Sequence, residues 1–410
     1  MIIFVYILCH FERAKVQKKT YIRKSYNKKF VHLQNFHYLC GIFIRNIIMS
    51  KRVLIGMSGG IDSTVAAILL LKQGYELVGA TFRTFDSIKD SCLAKEKGCC
   101  SVESIMEAKR MASTLGFEHH ILDFRDTFRE HVIANFVDEY SHGRTPNPCV
   151  LCNSHIKWGK LMQAAKEYGC DMIATGHYAQ IAQYRGHTYL KNAVDTQKDQ
   201  TYFLWMLTEE NLRHTLFPLG GLTKSEVRQI ALQHGFEALS KKAESQEICF
   251  VPNNDYRTFL AEQGVSISQG EYIDNQGNIL GKNQGFCHYT IGQRKGLGIA
   301  LGAPKFVTKI DAQNNRVTLG ERDDLYATEA TIANVHLRDK DWLNESPSVQ
   351  ARIRYKSPAV DAILPCPIPL LSNHNHPYTI QFSSPVWGVT PGQSLVIYKD
   401  NLVVGGGIIQ

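Results

Sequence analysis

The sequence predicts an α/β protein in which a doubly wound parallel sheet is followed by a small mixed central domain and a C-terminal β-barrel. Apolar strands and helical patterns alternate from residue 51 to about residue 204, which is typical of a parallel sheet with crossover helices. Short helices and polar turns follow, and beyond Gly285 the chain is rich in strands and turns. At 410 residues the chain is too long for one ordinary core, so we expect several domains.

The first region starts with an apolar strand at 51–56 and a glycine-rich turn at 57–63. A helix is expected at 63–73, because Val65, Ile68 and Leu69 are spaced for one buried face and Gly74 follows its end. The same patterns predict further strands at 77–82, 118–123 and 171–175, and further helices at 104–115, 128–141 and 155–168.

The second half of the chain carries weaker helical patterns and then short strands. Helices are expected at 223–234 and 255–263, and strands at 305–311, 316–320, 349–355, 378–382, 394–399 and 402–409. We therefore divide the chain into a leader at 1–48, a first domain at 49–204, a central domain at 205–285 and a barrel at 286–410.

The formal charge of +8 lies in the leader. Residues 1–48 hold nine Lys and Arg and one acidic residue, Glu12, so the remaining chain is balanced. A secretory signal needs its charges before the apolar stretch, and a mitochondrial transit peptide is richer in Arg and Ser than this leader. We expect translation to start at Met49, because a strand pattern begins directly after it.

The cysteines and the hydropathy pattern indicate the compartment. Eleven cysteines scattered over a chain of this size do not resemble the framework of a small secreted protein. No run reaches the roughly 18 apolar residues of a membrane-spanning helix. We expect a cytoplasmic protein with no membrane partner, in which clustered cysteines do chemistry.

The turn between the first strand and the first helix predicts phosphate binding. It consists of Gly56, Met57, Ser58, Gly59, Gly60, Ile61, Asp62 and Ser63. Glycines let a phosphate approach the backbone, and the helix N-terminus offers free N–H groups and a favourable dipole. The two serines can donate hydrogen bonds to phosphate, and Asp62 can hold a Mg²⁺ ion.

A second motif is a proline-rich loop with a Cys-x-x-Cys pair. Asn147, Pro148, Cys149 and Cys152 precede the predicted helix, whose N-terminus would lower the thiol pKa of Cys152 and which Asn153 or Ser154 can cap. The pair suits half a zinc site, a redox pair or a nucleophile beside a second cysteine. Zinc is disfavoured because no second ligand pair with suitable spacing lies nearby, so no metal ligands are assigned. Cys249 lies further along the chain.

These motifs resemble known families. The segment Ser58–Ser63 resembles the pyrophosphatase loop, or PP-loop, of enzymes that use ATP to adenylate a carbonyl oxygen. Together with the segments around Cys152 and Cys249, and with 174–178, 198–200, 288–296 and 390–393, it makes residues 51–410 similar to the tRNA-specific 2-thiouridylases. The first domain would then be nucleotide-binding and adenine nucleotide alpha-hydrolase-like.

The resemblance implies a sulfurtransferase that acts with ATP and Mg²⁺ on the wobble uridine in the anticodon loop of tRNA. Cys249 would carry a persulfide from a sulfur-relay protein or a cysteine desulfurase, and Cys152 would be the nucleophile, so that a Cys152–Cys249 disulfide forms during turnover. It further implies contacts of the loop 56–63, Phe82 and Gly176 with the nucleotide. The expected contacts with the target base or tRNA are Asn147, Pro148, Cys149, Lys198, Asp199, Gln200, Arg354 and Tyr355.

Three alternatives remain at this stage. Cys149 stands where some members of the family have an acidic residue, so Cys149, Cys152 and Cys249 could instead ligate an iron–sulfur cluster of a tRNA thiolase. A synthetase that forms amide bonds could use the same loop without paired cysteines. A non-catalytic RNA-binding protein could use basic and aromatic residues such as Arg294, Lys295 and Tyr355.

Overall fold

The computed structural model describes residues 51–85, 102–241, 248–251, 253, 255–265, 268–368 and 377–410. The predicted leader at 1–48 lies outside the described residues. Within this part of the chain, five strands form a parallel sheet in the order β3-β2-β1-β4-β7. They are β1 (Arg52–Gly56), β2 (Glu76–Arg83), β3 (Glu118–Asp123), β4 (Met172–Ala174) and β7 (Thr215–Leu216).

Both faces of this sheet are covered, which confirms the doubly wound prediction. Val53 and Ile55 of β1 pack under helices α1 (Ile61–Lys72), α2 (Val102–Leu115), α6 (Lys224–Gln233) and α7 (Glu237–Lys241). Leu54 points to the opposite face and packs with the helix at 148–167 and with Tyr202. This alternation is the strand period of two applied to a strand buried on both sides.

Helices α3 and α4 are each composed of successive segments. Helix α3 (125–141) runs through Arg125–Phe128, a π-helical turn at Arg129–Ile133, and Ala134–Ser141. Helix α4 (148–167) runs through Pro148–Leu151, a π-helical stretch at Cys152–Lys160, and Leu161–Glu167. Both carry an apolar face into a shared cluster with Phe250 and Phe259.

The predicted domain boundary at residue 204 falls inside the domain that is built on the parallel sheet. Strand β7 and helix α6 lie beyond it but complete the parallel sheet and its covering layer. A hairpin before it, β5 (Gln180–Tyr184) and β6 (His187–Lys191), was not predicted and pairs with the C-terminal strand β17 (Leu402–Ile409). Helix α5 (Glu209–Arg213) connects these regions.

The middle of the chain builds a second, smaller sheet. Helix α8 (Tyr256–Glu262) leads into β8 (Gly270–Ile273) and β9 (Ile279–Asn283), which pair with β10 (Phe306–Asp311) and β11 (Arg316–Gly320). The last two strands were predicted, but their place is in this sheet rather than in the barrel. Their apolar residues pack on Tyr272 and Tyr289, which fixes them there.

The C-terminal barrel is confirmed, but its first strand begins at residue 326, whereas the barrel was predicted to begin at residue 286. In the described chain, β12 (Tyr326–Leu337), β15 (Tyr378–Trp387), β14 (Val360–Ile363), β13 (Ser348–Arg352), β16 (Ser394–Lys399) and β17 pair in that order, and β12 closes on β17. Helix α9 (Lys340–Glu345) lies between β12 and β13. Among the described residues, no helix is both long and apolar enough to span a membrane.

Candidate active site

The loop 56–63 is held in shape by the strands beside it. The Met57 N–H donates to the Ala80 carbonyl over 2.7 Å, and the Thr81 hydroxyl donates to the Met57 carbonyl over 2.8 Å. Gly59 has φ of +68°, and a Cβ there would lie 2.4 Å from the Ser104 carbonyl oxygen. Only glycine satisfies both conditions, so the loop backbone can lie directly against helix α2.

The first turn of α1 offers N–H groups that can bind an anion. Its N-cap, Gly60, has no side chain to occupy them. The Ser58 N–H donates to Ser63 Oγ over 3.2 Å, so the hydroxyl groups of the loop lie beside this helix end. Because the chain leaves β1 towards β2 on one side and returns as β4 on the other, the loop lies at the topological switch point, where open α/β sheets bind ligands.

Gly176 and Phe82, the two residues expected to contact the nucleotide outside the loop, flank the loop. A Cβ on Gly176 would lie 2.8 Å from the backbone carbon of Asp62, so only glycine lets the loop after β4 approach α1 this closely. The Phe82 ring contacts the Phe124 ring at a centroid distance of 5.7 Å and lies beside Gly56. The two residues border the crevice with an open backbone and an aromatic surface.

Asp62 is paired with a lysine that sequence reasoning did not find. Lys224 Nζ lies 2.7 and 2.9 Å from the two Asp62 carboxylate oxygens, and the Tyr178 hydroxyl donates to Asp62 over 2.9 Å. Thr223 and Glu226 form a capping box that begins α6 at Lys224. That box is visible in the sequence, but it gives no sign that α6 packs against α1.

The Cys-x-x-Cys helix starts earlier than predicted. It begins at Pro148 with Asn147 at the N-cap, which places Cys149 in the first turn and Cys152 in the second. The expectation of a Cys152 thiol at the helix N-terminus is therefore wrong, and so is capping by Asn153 or Ser154. The Asn153 side chain donates to the Phe203 carbonyl over 2.9 Å, and the Ser154 hydroxyl donates to Leu151 over 3.2 Å.

The C-terminal barrel positions the proline-rich loop. The Gln393 side-chain amide donates to the Thr145 and Pro146 carbonyls over 2.9 and 3.0 Å, and the Thr145 N–H donates to Pro391 over 2.8 Å. The motif at 390–393 therefore holds the segment that leads into the cysteine helix.

Cys152 and Phe250, the neighbour of Cys249, belong to one apolar cluster. Phe250 packs on Phe128, Phe136 and Phe259 with ring centroids 5.1 to 5.5 Å apart, and Cys152 packs against the same cluster. Cys249 is exposed next to Phe250, and Cys152 is half-buried. The fold therefore brings the segment that carries Cys249 to the helix that carries Cys152, although the two cysteines are 97 positions apart in the sequence.

The three-cysteine alternative lacks a ligand set. Among the described residues, no three His, Cys, Asp or Glu side chains lie where they could hold one metal ion. Cys149 is exposed in the first turn of α4.

The predicted tRNA residues mostly serve the protein itself. Asp199 is only 4% exposed and accepts from the Ala193 N–H over 2.7 Å and from the Thr201 hydroxyl over 2.5 Å, so its carboxylate is not available to tRNA and that expectation is wrong. Gln200 accepts from the Tyr178 N–H over 2.9 Å, and Lys198 is half-buried.

Arg354 and Tyr355 are also tied into the protein. The Arg354 guanidinium donates to the Ile291 carbonyl over 3.2 Å and to the Thr390 hydroxyl, and it lies 5.6 Å from the centre of the Trp387 ring. Burial lowers the pKa of Arg354 from its ordinary value. The Tyr355 ring lies 4.4 Å from that of Phe203. Arg354 thus links the barrel to the second sheet, and Tyr355 links it to Phe203 of the first domain.

His177 is a further residue at the crevice, directly after Gly176. Its Nδ1 lies 2.8 Å from the Thr175 hydroxyl oxygen, and its Nε2 lies 3.3 Å from Lys157 Nζ. Burial, and then the charge of Lys157, lower the pKa of His177 well below its usual value. The sequence placed His177 at a strand end, but Lys157 as its neighbour is given only by the tertiary structure.

Comparison with known proteins agrees with this architecture. The sequence matches family models described as the tRNA methyl transferase HUP domain over 51–253, the tRNA methyl transferase PRC-barrel domain over 257–321, and the aminomethyltransferase beta-barrel domain over 328–409. Among solved structures, the match to NMN synthetase from Francisella tularensis covers 53% of this chain and 74% of that chain, with a TM-score of 0.32 and 17% identity.

Curated relatives match over nearly their whole length. A tRNA-specific 2-thiouridylase MnmA from Acetivibrio thermocellus is 46% identical over 363 residues, covering 88% of this chain and 99% of the relative. Proteins of the same name from Clostridium perfringens and Clostridioides difficile are each 44% identical, covering 88% of this chain and 98% and 99% of theirs. This chain therefore belongs to the tRNA-specific 2-thiouridylase family.

Proposed function

We propose that the protein is a tRNA-uridine 2-sulfurtransferase that uses ATP to thiolate the wobble uridine of tRNA. The observation that carries this proposal is that a helix end able to bind phosphate lies at the switch point of the sheet, while Cys152 and Phe250, the neighbour of Cys249, belong to one cluster. The 44–46% identity to proteins named 2-thiouridylases supports the same substrate.

The first step activates the base. The C2 oxygen of uracil is a poor leaving group, and its attack on the α-phosphorus of ATP forms an adenylate and releases pyrophosphate. The first-turn N–H groups of α1 and the hydroxyls of Ser58 and Ser63 would bind the phosphates. Gly56, Phe82 and Gly176 would border the nucleoside.

Mg²⁺ fits this site through Asp62, the carboxylate of the loop. Carboxylate oxygens are preferred Mg²⁺ ligands, and the ion would neutralise the departing pyrophosphate. Both Asp62 oxygens contact Lys224, so a metal ion there would have to replace that ammonium.

The second step delivers sulfur. By one route the outer sulfur of a Cys249 persulfide attacks C2 and AMP leaves; Cys152 then attacks the Cys249 sulfur of this adduct. The bond between the two sulfurs breaks, and its electrons form the C2 thiocarbonyl. By the other route Cys152 attacks the Cys249 sulfur of the persulfide first and releases hydrosulfide, which attacks C2 with loss of AMP and a proton. Both routes end in a Cys152–Cys249 disulfide, which a cellular thiol must reduce.

The remaining partners follow from the chemistry. A cysteine desulfurase or a relay protein would load the persulfide, which the exposed position of Cys249 permits. Exposed Arg294, Lys295 and Lys356 would contact tRNA phosphates, and Asn147 and Cys149, at the start of α4, would lie nearest the target base. The need for reduced thiols places the reaction in a reducing compartment, for which we propose the cytoplasm.

Nucleoside analysis of tRNA incubated with protein, ATP, Mg²⁺ and a sulfur donor tests the function. Wild-type protein should form 2-thiouridine, whereas Cys152→Ser and Cys249→Ser should form none and should bind tRNA normally. The exposed Cys366 is the matched control, and Cys366→Ser should keep full activity. Thiolation that persists in either of the first two variants would contradict the two-cysteine mechanism.

A further inference from the structure

The helix that carries Cys152 has an unusual backbone. Residues Cys152–Lys160 form a π-helical stretch, and its repeat is still present at the end, where the Leu161 N–H donates to the Ile156 carbonyl. In an α-helix a residue five positions on points about 140° away. In a π-helix the hydrogen bonds join residues five positions apart, so the fifth residue returns above the first. The stretch therefore brings Lys157 onto the face of Cys152.

Lys157 is held in place from the parallel sheet. Its ammonium can only donate, so His177 Nε2, which lies 3.3 Å away, must accept. The ring proton is then on Nδ1, which donates to the Thr175 hydroxyl over 2.8 Å. The lowered pKa of His177, caused first by burial and then by Lys157, agrees with a neutral ring. His177 therefore orients the cation without competing with it.

The charged groups of the neighbouring helix pair among themselves. On α3 and just before it, Arg125 pairs with Asp123 at 2.6 Å, Arg129 with Asp126 at 3.7 Å, and His131 with Glu130 at 3.9 Å. His131 also stacks on His155 of α4 with ring centroids 4.6 Å apart, and burial and His131 lower the pKa of His155. These ion pairs offset charges on α3, the helix that shares the apolar cluster with Cys152.

Two further thiols, those of Cys249 and Cys149, lie on segments next to Cys152. Cys249 lies beside the shared cluster, and Cys149 lies one turn before Cys152. Cys149 is exposed at the surface, yet the protein surrounding its sulfur raises its thiol pKa, while the charge of Lys157 opposes that rise. Lys157 is thus close enough to Cys149 to act on its thiol electrostatically, and the π-helical repeat directs Lys157 to the face of Cys152.

We propose that Lys157, oriented by His177, is a positioning residue that keeps Cys152 as a thiolate for sulfur transfer. A nearby ammonium favours the thiolate, which is the attacking form of cysteine. This inference rests on the proposed function of Cys152. In this proposal Lys157, rather than the helix N-terminus, activates Cys152, because Cys152 lies in the second turn of α4.

The test is the pH dependence of iodoacetamide alkylation at Cys152, followed by mass spectrometry of the Cys152 peptide without ATP or tRNA. Lys157→Met should raise the midpoint of the alkylation profile by roughly one unit or more, and Lys157→Arg should restore it. Lys160→Met, on the same helix, is the matched control and should leave the midpoint unchanged. The Cys249 peptide in the same digests serves as an internal reference.

A second pair of variants keeps the test decisive if Lys157→Met fails to fold. His177→Gln retains an acceptor for Lys157 and should keep the Cys152 midpoint, whereas His177→Leu removes it and should raise the midpoint. An unchanged midpoint in both Lys157→Met and His177→Leu, or an equal shift in Lys160→Met, would overturn the proposal. Because no turnover is involved, this result is independent of whether Cys152→Ser abolishes thiolation.

Discussion

Replacing either partner of the Lys224–Asp62 ion pair should destabilise the first domain unequally. The Lys224 side chain is 10% exposed and that of Asp62 is 33% exposed, at a separation of 2.7 Å. Removing one partner of a buried pair costs about 3–5 kcal/mol, because the other charge is left without compensation. Asp62→Asn leaves a buried ammonium, so we expect a loss of about 3 kcal/mol.

Lys224→Met leaves a carboxylate that water still reaches and that the Tyr178 hydroxyl still contacts. We therefore expect a smaller loss, about 1–2 kcal/mol. The double variant buries no charge and should lie within about 1 kcal/mol of wild type, which corresponds to a coupling energy of about 3 kcal/mol.

Urea unfolding followed by tryptophan fluorescence measures all four proteins, with midpoints compared at equal slope. Lys282→Met is the control, because its pair with Glu271 at 3.2 Å is exposed, and it should change the free energy of unfolding by less than about 1 kcal/mol. Losses that simply add in the double variant would refute a coupled pair. The double variant should still fail to release pyrophosphate, because it lacks the Asp62 carboxylate.

Three further predictions concern the loop 56–63, the half-buried His119 of β3, and the contact between the barrel and the proline-rich loop. Gly59→Ala should abolish ATP-dependent activity, because its Cβ would lie 2.4 Å from Ser104 O; Gly74→Ala shares a positive φ (+84°) but meets nothing within 4 Å, so it should lose only about 1–2 kcal/mol of stability and keep activity in the thiolation assay. Burial lowers the pKa of His119 from 6.5 to about 4, so the unfolded chain binds the proton more tightly than the folded protein. The free energy of unfolding, measured with urea, should therefore fall as the pH drops from 6.5 towards 4, by up to about 3 kcal/mol more than in His119→Gln. An equal dependence of this free energy on pH in both proteins would contradict the prediction. Gln393→Ala removes two hydrogen bonds to the proline-rich loop and should reduce the thiolation rate about tenfold while pyrophosphate release persists; an unchanged thiolation rate would show that the barrel does not position the loop.

Local patterns were enough for many of the strands and helices of the first domain. The strand at 118–123 and several C-terminal strands were predicted with the bounds that the structure has, because apolar alternation and flanking glycines mark them directly. Strand β12 and the hairpin β5–β6 were missed. Strands β12 and β5 are only partly buried, so their sequences alternate weakly, whereas the buried centre of β6 is only three residues long.

The start of the cysteine helix shows why boundaries are harder. Pro148 suits the first helical turn, where the backbone N–H has no partner within the helix. Pro146 and Pro148 on either side of Asn147 also suit an extended loop. The packing of Val150, Ile156 and Trp158 into two cores favours the helix. The sequence lists these residues but does not say that both cores meet there.

The sequence by itself determined the chemistry of the site: a glycine-rich loop before a helix, a Cys-x-x-Cys pair and a distant third cysteine. Each is a local property, because backbone freedom, helix ends and thiols depend on the residues themselves. Only the tertiary structure decided which side chains meet: Lys224 with Asp62, Lys157 with His177, Gln393 with the proline-rich loop, and Phe250, next to Cys249, with the cluster that includes Cys152. These pairs are set by helix packing, by the π-helical repeat and by the pairing of distant strands, none of which leaves a periodic signal at the positions that it joins.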